Sequence, residues 1–504
     1  MNVASFLQHW GLREHPFSAE EARDDAVFPK LDAHRVAHPD FEKFAGDPAR
    51  PASAVLFGEK GAGKTAIRLH LAGRIAAHHA ASPGDRVLLV SMDELNPVLD
   101  RFADRFELSP RPSERAVLEV LREFTIADHL DAVLHRATIE LVDQLAAGDG
   151  SLRASLRSAS PSARRTIAQL AALYDRPDDD GARRALVRGA TRTSGAAGAT
   201  ARVLFGALGW LPAAGVLTAI ALAPELREGF LGSFLPAVFA ALLAVWLLGL
   251  VKVVLWDGMV LRRLVARVHA AIRSGPRGRD ALRAAIGALP GPTRAGIGDL
   301  KPGAEGARYA LLEALVRSLR EIGFRGVLLV YDRLDEPTLI NGEVERMRTL
   351  VWPLLTNTLF QQGGVAIKLL LPIELRHELF RESAEFFQTA RLDKQNLVER
   401  LSWTGAMLYD LCNARLAACA DGAVEPVLAD LFDENVGQQH LIDALESMRQ
   451  PRDAFKLLHQ CIGEHCATTS VQDDQWHVAR HVLDTVRREQ VERLEQFARG
   501  IRPG

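Results

Sequence analysis

This chain has few cysteines and little net charge, and its N-terminal stretch lacks the pattern expected of a signal peptide. Its 504 residues include four cysteines, all in the last quarter, which is too few for a disulfide framework and suits a reducing cytosol. The formal net charge of −2 gives no general attraction to nucleic acid or to anionic membranes. Arg13, Glu14 and His15 interrupt the N-terminal stretch, so no signal peptide is expected there. The cysteines are Cys412, Cys419, Cys461 and Cys466.

Histidines and cysteines near the C-terminus raise the alternative of a metal site. Their spacing matches no zinc pattern, and the segment that carries them predicts an amphipathic helix. We therefore expect no metal in this segment. The residues concerned are His459, Cys461, His465 and Cys466.

A glycine-rich turn follows a short apolar run at residues 54–65. It fits the GxxxxGKT pattern of a phosphate-binding P-loop in full, and a helical pattern follows it; the alternative is a purely structural turn. Glycines let backbone N–H groups curve around phosphate oxygens at the positive end of a helix. Lys64 is expected to reach the β and γ phosphates of a bound nucleotide, and the Thr65 hydroxyl to ligate Mg²⁺. The predicted nucleotide contacts are Gly58, Glu59, Lys60, Gly61, Ala62, Gly63, Lys64, Thr65 and Ala66.

An N-terminal lead-in, residues 1–50, precedes this loop. Phe17, or the turn at Phe28-Pro29, is a candidate wall for the adenine base. The alternative, a segment that merely packs on the domain, is equally compatible with the pattern. After the loop, Arg86–Ser91 predicts a buried parallel strand, and a helical region opens at Ser113. Residues 51–147 thus form the first part of the core, and residues 148–200 a cytoplasmic helical linker.

Two long apolar segments form a predicted transmembrane hairpin within residues 201–256. Val203–Ala223 holds 21 residues and Gly229–Val251 holds 23, all without a charge, and each is long enough to cross a bilayer as a helix. Pro212 and Pro236 are tolerated in membrane helices. A buried helical hairpin of a large soluble core is the alternative.

Arginine and lysine flank the hairpin on both outer sides, whereas the short turn between the spans holds one arginine and two glutamates. Both ends are therefore expected in the cytoplasm, and the turn on the opposite side of the membrane. The basic residues are Arg183, Arg184, Arg188, Arg192 and Arg202 before the first span, and Lys252, Arg262, Arg263, Arg267 and Arg273 after the second.

A second nucleotide-site signal stands beyond a cytoplasmic helical return, residues 257–307. Gly326–Tyr331 is an apolar strand that ends in Asp332, which resembles a Walker B strand whose aspartate would hold Mg²⁺ opposite Thr65. The alternative is an ordinary strand before an acidic turn. Because more than 260 residues separate Thr65 from Asp332, the hairpin is inserted within the nucleotide-binding domain itself.

The core resumes over residues 308–400, and a C-terminal helical domain follows over residues 401–504. Val365–Leu371 predicts another buried strand, after which Arg376 is either a sensor of the γ-phosphate or a surface salt-bridge partner. Pro451 begins a predicted helix at which Arg452 could point back at the nucleotide. Arg376, Arg381 and Arg391 are all candidates for an arginine that acts on a neighbouring copy.

Together these residues resemble the additional-strand P-loop ATPases, which include the AAA+ and STAND NTPases, and most closely the KAP-type NTPases. That family carries a transmembrane hairpin between Walker A and Walker B, aspartates spaced like Asp332 and Asp335, and an Asn-Pro-Arg lid signature that Gln450-Pro451-Arg452 approaches. The resemblance implies an α/β fold: a parallel-sheet P-loop NTPase core, an inserted two-helix transmembrane hairpin and a C-terminal helical lid domain.

The residue after the Walker B aspartate departs from the AAA+ pattern, because Arg333 stands where the catalytic glutamate is usual. Asp335 or Glu336 must then act as general base, or hydrolysis is slow enough for a switch. The expected catalytic residues are Lys64, Asp332, Asp335 and Glu336, and the expected metal ligands are Thr65 and Asp332.

The resemblance implies a membrane-anchored, Mg²⁺-dependent ATPase, a hydrolase that couples nucleotide turnover to a conformational or assembly change, in phage defence or signalling. It also implies assembly with further copies and an unidentified protein partner. The alternatives are a nucleotide-binding membrane scaffold with little hydrolysis, and a soluble nucleic-acid-associated AAA+ ATPase. Basic residues cluster beside the apolar spans rather than along the C-terminal helices, which argues against nucleic acid.

Overall fold

A five-stranded, all-parallel sheet lies at the centre of the protein. The computed structural model describes residues 1–19, 21–31, 37–106, 108–109, 111–148, 150–177, 181–193, 203–222, 230–356, 358–392, 396–422, 425–470 and 473–498. Its strands are β1 (Ala54–Gly58), β2 (Arg86–Met92), β3 (Phe324–Tyr331), β4 (Val365–Pro372) and β5 (Asn396–Val398). Their order across the sheet is β2-β3-β4-β1-β5. The predicted strands are confirmed, with ends that differ by one or two residues.

Helices surround the sheet and make the chain mostly helical. The first part of the chain contains α1 (Val3–His9), α2 (Asp40–Ala45), α3 (Lys64–Ala81), α4 (Asn96–Ala103), α5 (Glu114–Arg122), α6 (Ile126–Ala146), α7 (Gly150–Ser158), α8 (Pro161–Tyr174) and α9 (Ala182–Thr191). The middle contains α10 (Leu211–Leu222), α11 (Phe230–Leu250), α12 (Asp257–Ala271), α13 (Arg279–Gly287), α14 (Gly291–Ala295), α15 (Glu305–Glu321), α16 (Val344–Leu355), α17 (Ile373–Leu379) and α18 (Ala384–Thr389). The last part contains α19 (Gly405–Cys419), α20 (Gln438–Glu446), α21 (Pro451–Thr468) and α22 (Arg480–Ala498).

Both faces of the sheet are covered. Strands β1 and β4 are buried along their whole length, which explains their unbroken apolar sequences. One face packs against α2 and α3, and the other against a larger core that includes α6, α8, α15 and α16. Helix α8, from the segment predicted as a linker, thus belongs to the main core.

The lead-in packs with the C-terminal helices in a second core. Phe6 and Phe17 lie in this core beside residues of α19 to α22. The Trp10 indole N–H donates to Trp476 O at 3.0 Å, and the backbone N–H of Arg13 donates to Cys419 O at 2.9 Å. The two ends of the chain therefore form one unit, which the sequence pattern did not indicate.

The two apolar segments form helices that contact each other and are mostly exposed, except where the end of the second helix enters the core. They run over Val203–Leu222 and Phe234–Ala271, with 6% and 0% of the residues in their most apolar windows buried. By length and composition, both could cross a membrane. The Trp246 indole N–H donates to Phe205 O at 3.3 Å, where Gly209 and Gly249 let the helices approach. The predicted turn Pro224–Glu228 and Arg202 lie outside the described residues.

The second apolar helix continues into the core without a break. A π-helical turn, Val251–Trp256, joins α11 to α12. The carbonyls at the end of α12 accept hydrogen bonds from Arg105 (His269 O and Ile272 O, both 3.0 Å) and Arg308 (Ala271 O, 2.7 Å). These cations satisfy carbonyls that a helix end leaves unpaired. The C-terminal end of this helix is therefore fixed to the core.

The basic residues that flank the apolar helices fall into two groups. Arg273 binds the buried Asp128 carboxylate through two hydrogen bonds of 2.9 and 2.6 Å, and Arg183 binds Asp175. Arg262, Arg263 and Arg267 instead stay exposed on α12. The first group binds carboxylates of the core and stabilises the fold. Only the exposed group can therefore indicate how the apolar helices would be oriented at a membrane.

Candidate functional site

The glycine-rich loop, residues 58–65, connects the end of β1 to the start of α3. Gly61 and Gly63 have φ angles of 97° and 94°, which L-residues with a side chain rarely adopt. A Cβ atom at Gly61 would lie 3.0 Å from both the Cβ of Arg452 and Oε1 of Gln450. The loop conformation and the closeness of α21 therefore both require glycine at position 61.

The ammonium group of Lys64 folds back over this loop. Its Nζ donates to the carbonyl oxygens of Gly58 at 2.7 Å and Glu59 at 2.9 Å. Burial lowers the pKa of Lys64, while the nearby carboxylates of Asp335 and Asp332 oppose that shift. A half-buried cation held by neutral carbonyl acceptors can bind an anion that enters the loop.

Thr65 meets Asp332 across two neighbouring elements. The Thr65 hydroxyl donates to Asp332 Oδ2 at 3.0 Å, and Arg68 Nε donates to the same oxygen at 3.2 Å. Asp332 is 1% exposed, and burial raises the pKa of its carboxyl, whereas Arg68 and Thr65 oppose the rise. The structure thus brings together the two residues that sequence analysis proposed as Mg²⁺ ligands.

The donor set fits a magnesium ion shared with a phosphate ligand. Mg²⁺ prefers hard oxygen ligands and is usually bound by one or two carboxylates together with phosphates and water. Thr65 and Asp332 supply a hydroxyl and a carboxylate at the cavity wall. No group of three or more His, Cys, Asp or Glu side chains in the described parts of the chain could hold a metal by itself.

A cavity of about 320 Å³ extends from the loop toward the C-terminal helices. This volume is in the range of pockets that hold a small organic ligand. Its lining includes a polar group at the loop, formed by Lys60, Gly61, Lys64, Thr65, Asp332 and Arg333. It also includes a less polar group from the lead-in, α3 and the C-terminal helices, here called the less polar end: Phe28, Leu31, His70, Leu411 and Phe455. The arrangement suits a ligand with an anionic part and a flat, largely apolar part.

The two aromatic candidates of the lead-in differ in their position relative to the cavity. Phe28 lines the cavity, and its ring centroid lies 4.8 Å from that of His70. Phe17 is 2% exposed and packs on Phe455 in the second core instead. Phe28 is therefore placed to contact a bound ring, and Phe17 supports the wall behind Phe455.

A buried ion pair at the less polar end was missed by sequence reasoning. Arg415 binds both carboxylate oxygens of Asp25, at 2.6 and 3.0 Å, and donates to Pro16 O at 2.6 Å. Its guanidinium also lies 4.5 Å from the ring centroid of Phe455. The two charged residues are 390 positions apart, so no local pattern could have paired them.

The C-terminal domain contacts the outside of the loop. The Trp403 indole N–H donates to Ala62 O at 2.9 Å, and Glu59 accepts hydrogen bonds from Arg400 and Gln450. Arg452, which sequence analysis considered as a residue pointing back at the nucleotide, lines the cavity. Movement of this domain would therefore change the loop directly.

Asp335 and Glu336, the candidate general bases, both line the cavity but differ in their contacts. Arg333 has a φ of 59° and its guanidinium lies 2.5 Å from a Glu336 oxygen and 3.5 Å from a Glu21 oxygen. Asp335 takes part in no ion pair within the described residues, and its charge acts on Lys64. Glu336 is held by Arg333, which leaves Asp335 the freer carboxylate.

Sequence analysis considered Arg376 as a γ-phosphate sensor, and Arg376, Arg381 and Arg391 as candidates for action on a neighbouring copy. Arg376 pairs with Glu399 at 2.7 Å, and Arg381 pairs with Glu378 at 2.9 Å. None of Arg376, Arg381 and Arg391 is among the described residues that line the cavity. For Arg376 the salt-bridge alternative is the one that the structure contains.

The C-terminal cysteines and histidines are packed as in a helical core. Cys461 and Cys466 are buried, and a His465 ring nitrogen lies 3.1 Å from Gln475 O.

Comparison of the chain with protein-family models, with curated proteins and with solved structures found no match.

Proposed function

We propose that the protein is a membrane-anchored, Mg²⁺-dependent ATPase. The observation that carries the proposal is the meeting of Lys64, Thr65 and Asp332 at one end of a cavity whose other end is lined by aromatic and apolar side chains. A GxxxxGKT loop beside a buried strand-end aspartate is the arrangement with which P-loop enzymes bind Mg²⁺ and nucleotide.

The strand order supports the assignment to the additional-strand class. Strand β4 lies between β1, which leads into the loop, and β3, which ends at Asp332. An extra strand at this position is the feature for which that class is named. The insertion between β2 and β3 carries the apolar hairpin, as in the KAP-type layout.

The exposure of the apolar helices supports a membrane anchor. A hairpin that belonged to a soluble core would be buried, whereas these helices contact each other and leave large apolar side chains exposed. We place the hairpin in a bacterial inner membrane and the sheet domain in the cytoplasm.

The chain's own residues would act in three ways. Lys64 would exchange the carbonyls of Gly58 and Glu59 for phosphate oxygens, and the loop amides would bind the same oxygens. Asp335 would orient and deprotonate the attacking water. Thr65 and Asp332 would hold Mg²⁺, which when bound neutralises charge on the phosphates.

A nucleotide-binding scaffold with little hydrolysis is the second candidate. The observation that favours it is the ion pair between Arg333 and Glu336, which places a cation where AAA+ enzymes carry a free glutamate. Such a protein would bind ATP and change conformation without turning it over.

The test is ATP turnover and nucleotide binding by detergent-purified full-length protein. We expect wild type to hydrolyse ATP, Lys64→Ala to lose binding, and Asp335→Asn to bind ATP with turnover reduced at least 100-fold, as for loss of a general base (about 10²–10⁴-fold). Glu336→Gln is the matched control and should retain turnover. Wild type that binds ATP without turnover would establish the scaffold, and wild type that binds no nucleotide would refute both.

A further inference from the structure

Arg68 lies at the site but belongs neither to the GxxxxGKT loop nor to the strand that ends before Asp332. It lies three residues after Thr65 on α3, so its guanidinium reaches the carboxylate that the Thr65 hydroxyl contacts. Nε donates to Asp332 Oδ2 at 3.2 Å, and a terminal nitrogen lies 3.2 Å from Asp93 Oδ2. Arg68 is 8% exposed. A buried cation thus bridges two carboxylates beside the expected metal position.

Both oxygens of Asp332 are engaged in this arrangement. Oδ2 accepts from Thr65 and Arg68, and Oδ1 accepts from the backbone N–H of Arg333 at 3.0 Å. A divalent cation that uses Asp332 must therefore compete with the guanidinium for its charge. Two cations close to one buried carboxylate repel each other, so Arg68 opposes metal binding at this position.

Asp93 provides the guanidinium with a second acceptor. It follows β2, its side chain is 16% exposed, and Arg23 lies 3.8 Å from it on the exposed side. An arginine that lost Asp332 without another acceptor would be a buried, unpaired charge, which is strongly unfavourable. With Asp93 in place, Arg68 keeps one carboxylate whether or not Asp332 is engaged elsewhere.

We propose that Arg68 is a metal-displaceable counter-ion, which holds the Asp332 carboxylate in place until Mg²⁺ binds and then pairs with Asp93 alone. This role rests on the proposed function of the site and adds regulation by the concentration of free Mg²⁺. Because Arg68 acts through Asp332, it is a positioning residue.

The test measures binding of a fluorescent ATP analogue to the full-length protein while Mg²⁺ is titrated. Arg68→Gln removes the competing charge, so the Mg²⁺ concentration for half-maximal binding should fall about 3- to 10-fold. Asp93→Asn leaves Asp332 as the stronger acceptor for Arg68, so that concentration should rise by a similar factor. Arg74→Gln, on the same helix in an exposed pair with Glu42, is the matched control and should change nothing.

The double variant, Arg68→Gln with Asp93→Asn, shows whether Asp93 acts through Arg68 or by the direct attraction of its own charge for Mg²⁺. If Asp93 acts through Arg68, then Asp93→Asn should have no further effect in the Arg68→Gln protein. Additive effects, or shifts of both single variants in the same direction, would overturn the proposal while leaving the nucleotide site intact. Wild type that binds no analogue, with or without Mg²⁺, would overturn the proposed function and the counter-ion role together.

Discussion

Replacement of Arg415 by methionine is expected to release the N-terminal lead-in and to open the less polar end of the cavity. The Arg415 and Asp25 side chains are 2% and 5% exposed, so their charges interact in a nearly dry environment. Methionine has a similar length but no donors. It would leave a buried carboxylate that retains the Val27 backbone N–H, at 3.0 Å, as a donor.

The size of the effect follows from the burial of this pair. Removal of one member of a buried ion pair costs about 3–5 kcal/mol. Loss of the hydrogen bond to Pro16 O adds about 1 kcal/mol. Because Asp25 and Pro16 both belong to the lead-in, this loss destabilises the docking of that segment onto α19 and leaves the stability of the sheet unchanged. A loss of about 4–6 kcal/mol lowers the docking equilibrium constant about 10³- to 10⁴-fold.

Hydrogen exchange by mass spectrometry, with binding of the fluorescent ATP analogue in parallel, measures this effect. We expect fast exchange in peptides of the lead-in, unchanged exchange in β1 and β4, and weaker nucleotide binding because Phe28 leaves the cavity wall. The matched control is Asp25→Leu combined with Arg415→Met, which removes both charges and should restore most of the docking. Slow exchange in the lead-in of Arg415→Met would refute the reasoning, as would a double variant no better than the single one.

Three further changes have distinct expected results. Gly61→Ala should weaken nucleotide binding at least tenfold because its Cβ would crowd Arg452. The control Gly73→Ala, which has open space around it on α3, should bind nucleotide normally and gain about 1 kcal/mol of stability. Equal binding by both variants would contradict the loop geometry. Burial lowers the pKa of Lys368 to about 8, so the folded chain loses this proton before the unfolded chain does and the free energy of unfolding rises between about pH 8 and pH 10.5. Lys368→Met should therefore unfold at a higher temperature than wild type at pH 7 and lose that advantage by about pH 10; a pH-independent difference would rule out the titration. Arg273→Gln leaves Asp128 without its arginine, so amide exchange at the end of α12 should accelerate while exchange in the glycine-rich loop stays slow, and uniform acceleration would instead indicate global destabilisation.

The strands and the loop could be predicted because their signals are local. Continuous apolar runs identified β1, β3 and β4, and the glycine spacing placed the start of α3 at Lys64. Spacing also selected Thr65 and Asp332, which the fold brings to 3.0 Å although 267 positions separate them. That pairing could be expected because Asp332 directly follows β3 and Thr65 ends the loop that follows β1, and the carboxyl ends of parallel strands meet at one edge of a sheet.

The features that could not be predicted depend on contacts between distant segments. Arg415 has no sequence neighbour that would indicate its pairing with Asp25. Arg273 resembles a membrane-flanking arginine in sequence, yet it binds Asp128 inside the core. Arg68 lies next to a recognisable motif, but its charge acquires a role only when β2 and β3 place Asp93 and Asp332 on either side of it.

The unbroken helix from Phe230 to Ala271 makes the second apolar segment a lever. At 1.5 Å per residue it is about 60 Å long, so a tilt of about 5° at its anchored end would displace the far end by about 5 Å. The π-helical turn at Val251–Trp256 is an irregular stretch of this rod, as is the turn around Pro236, and π-turns are frequent at functional sites. Small rotations of the sheet domain would therefore be amplified along the rod, unless that turn bends and absorbs them.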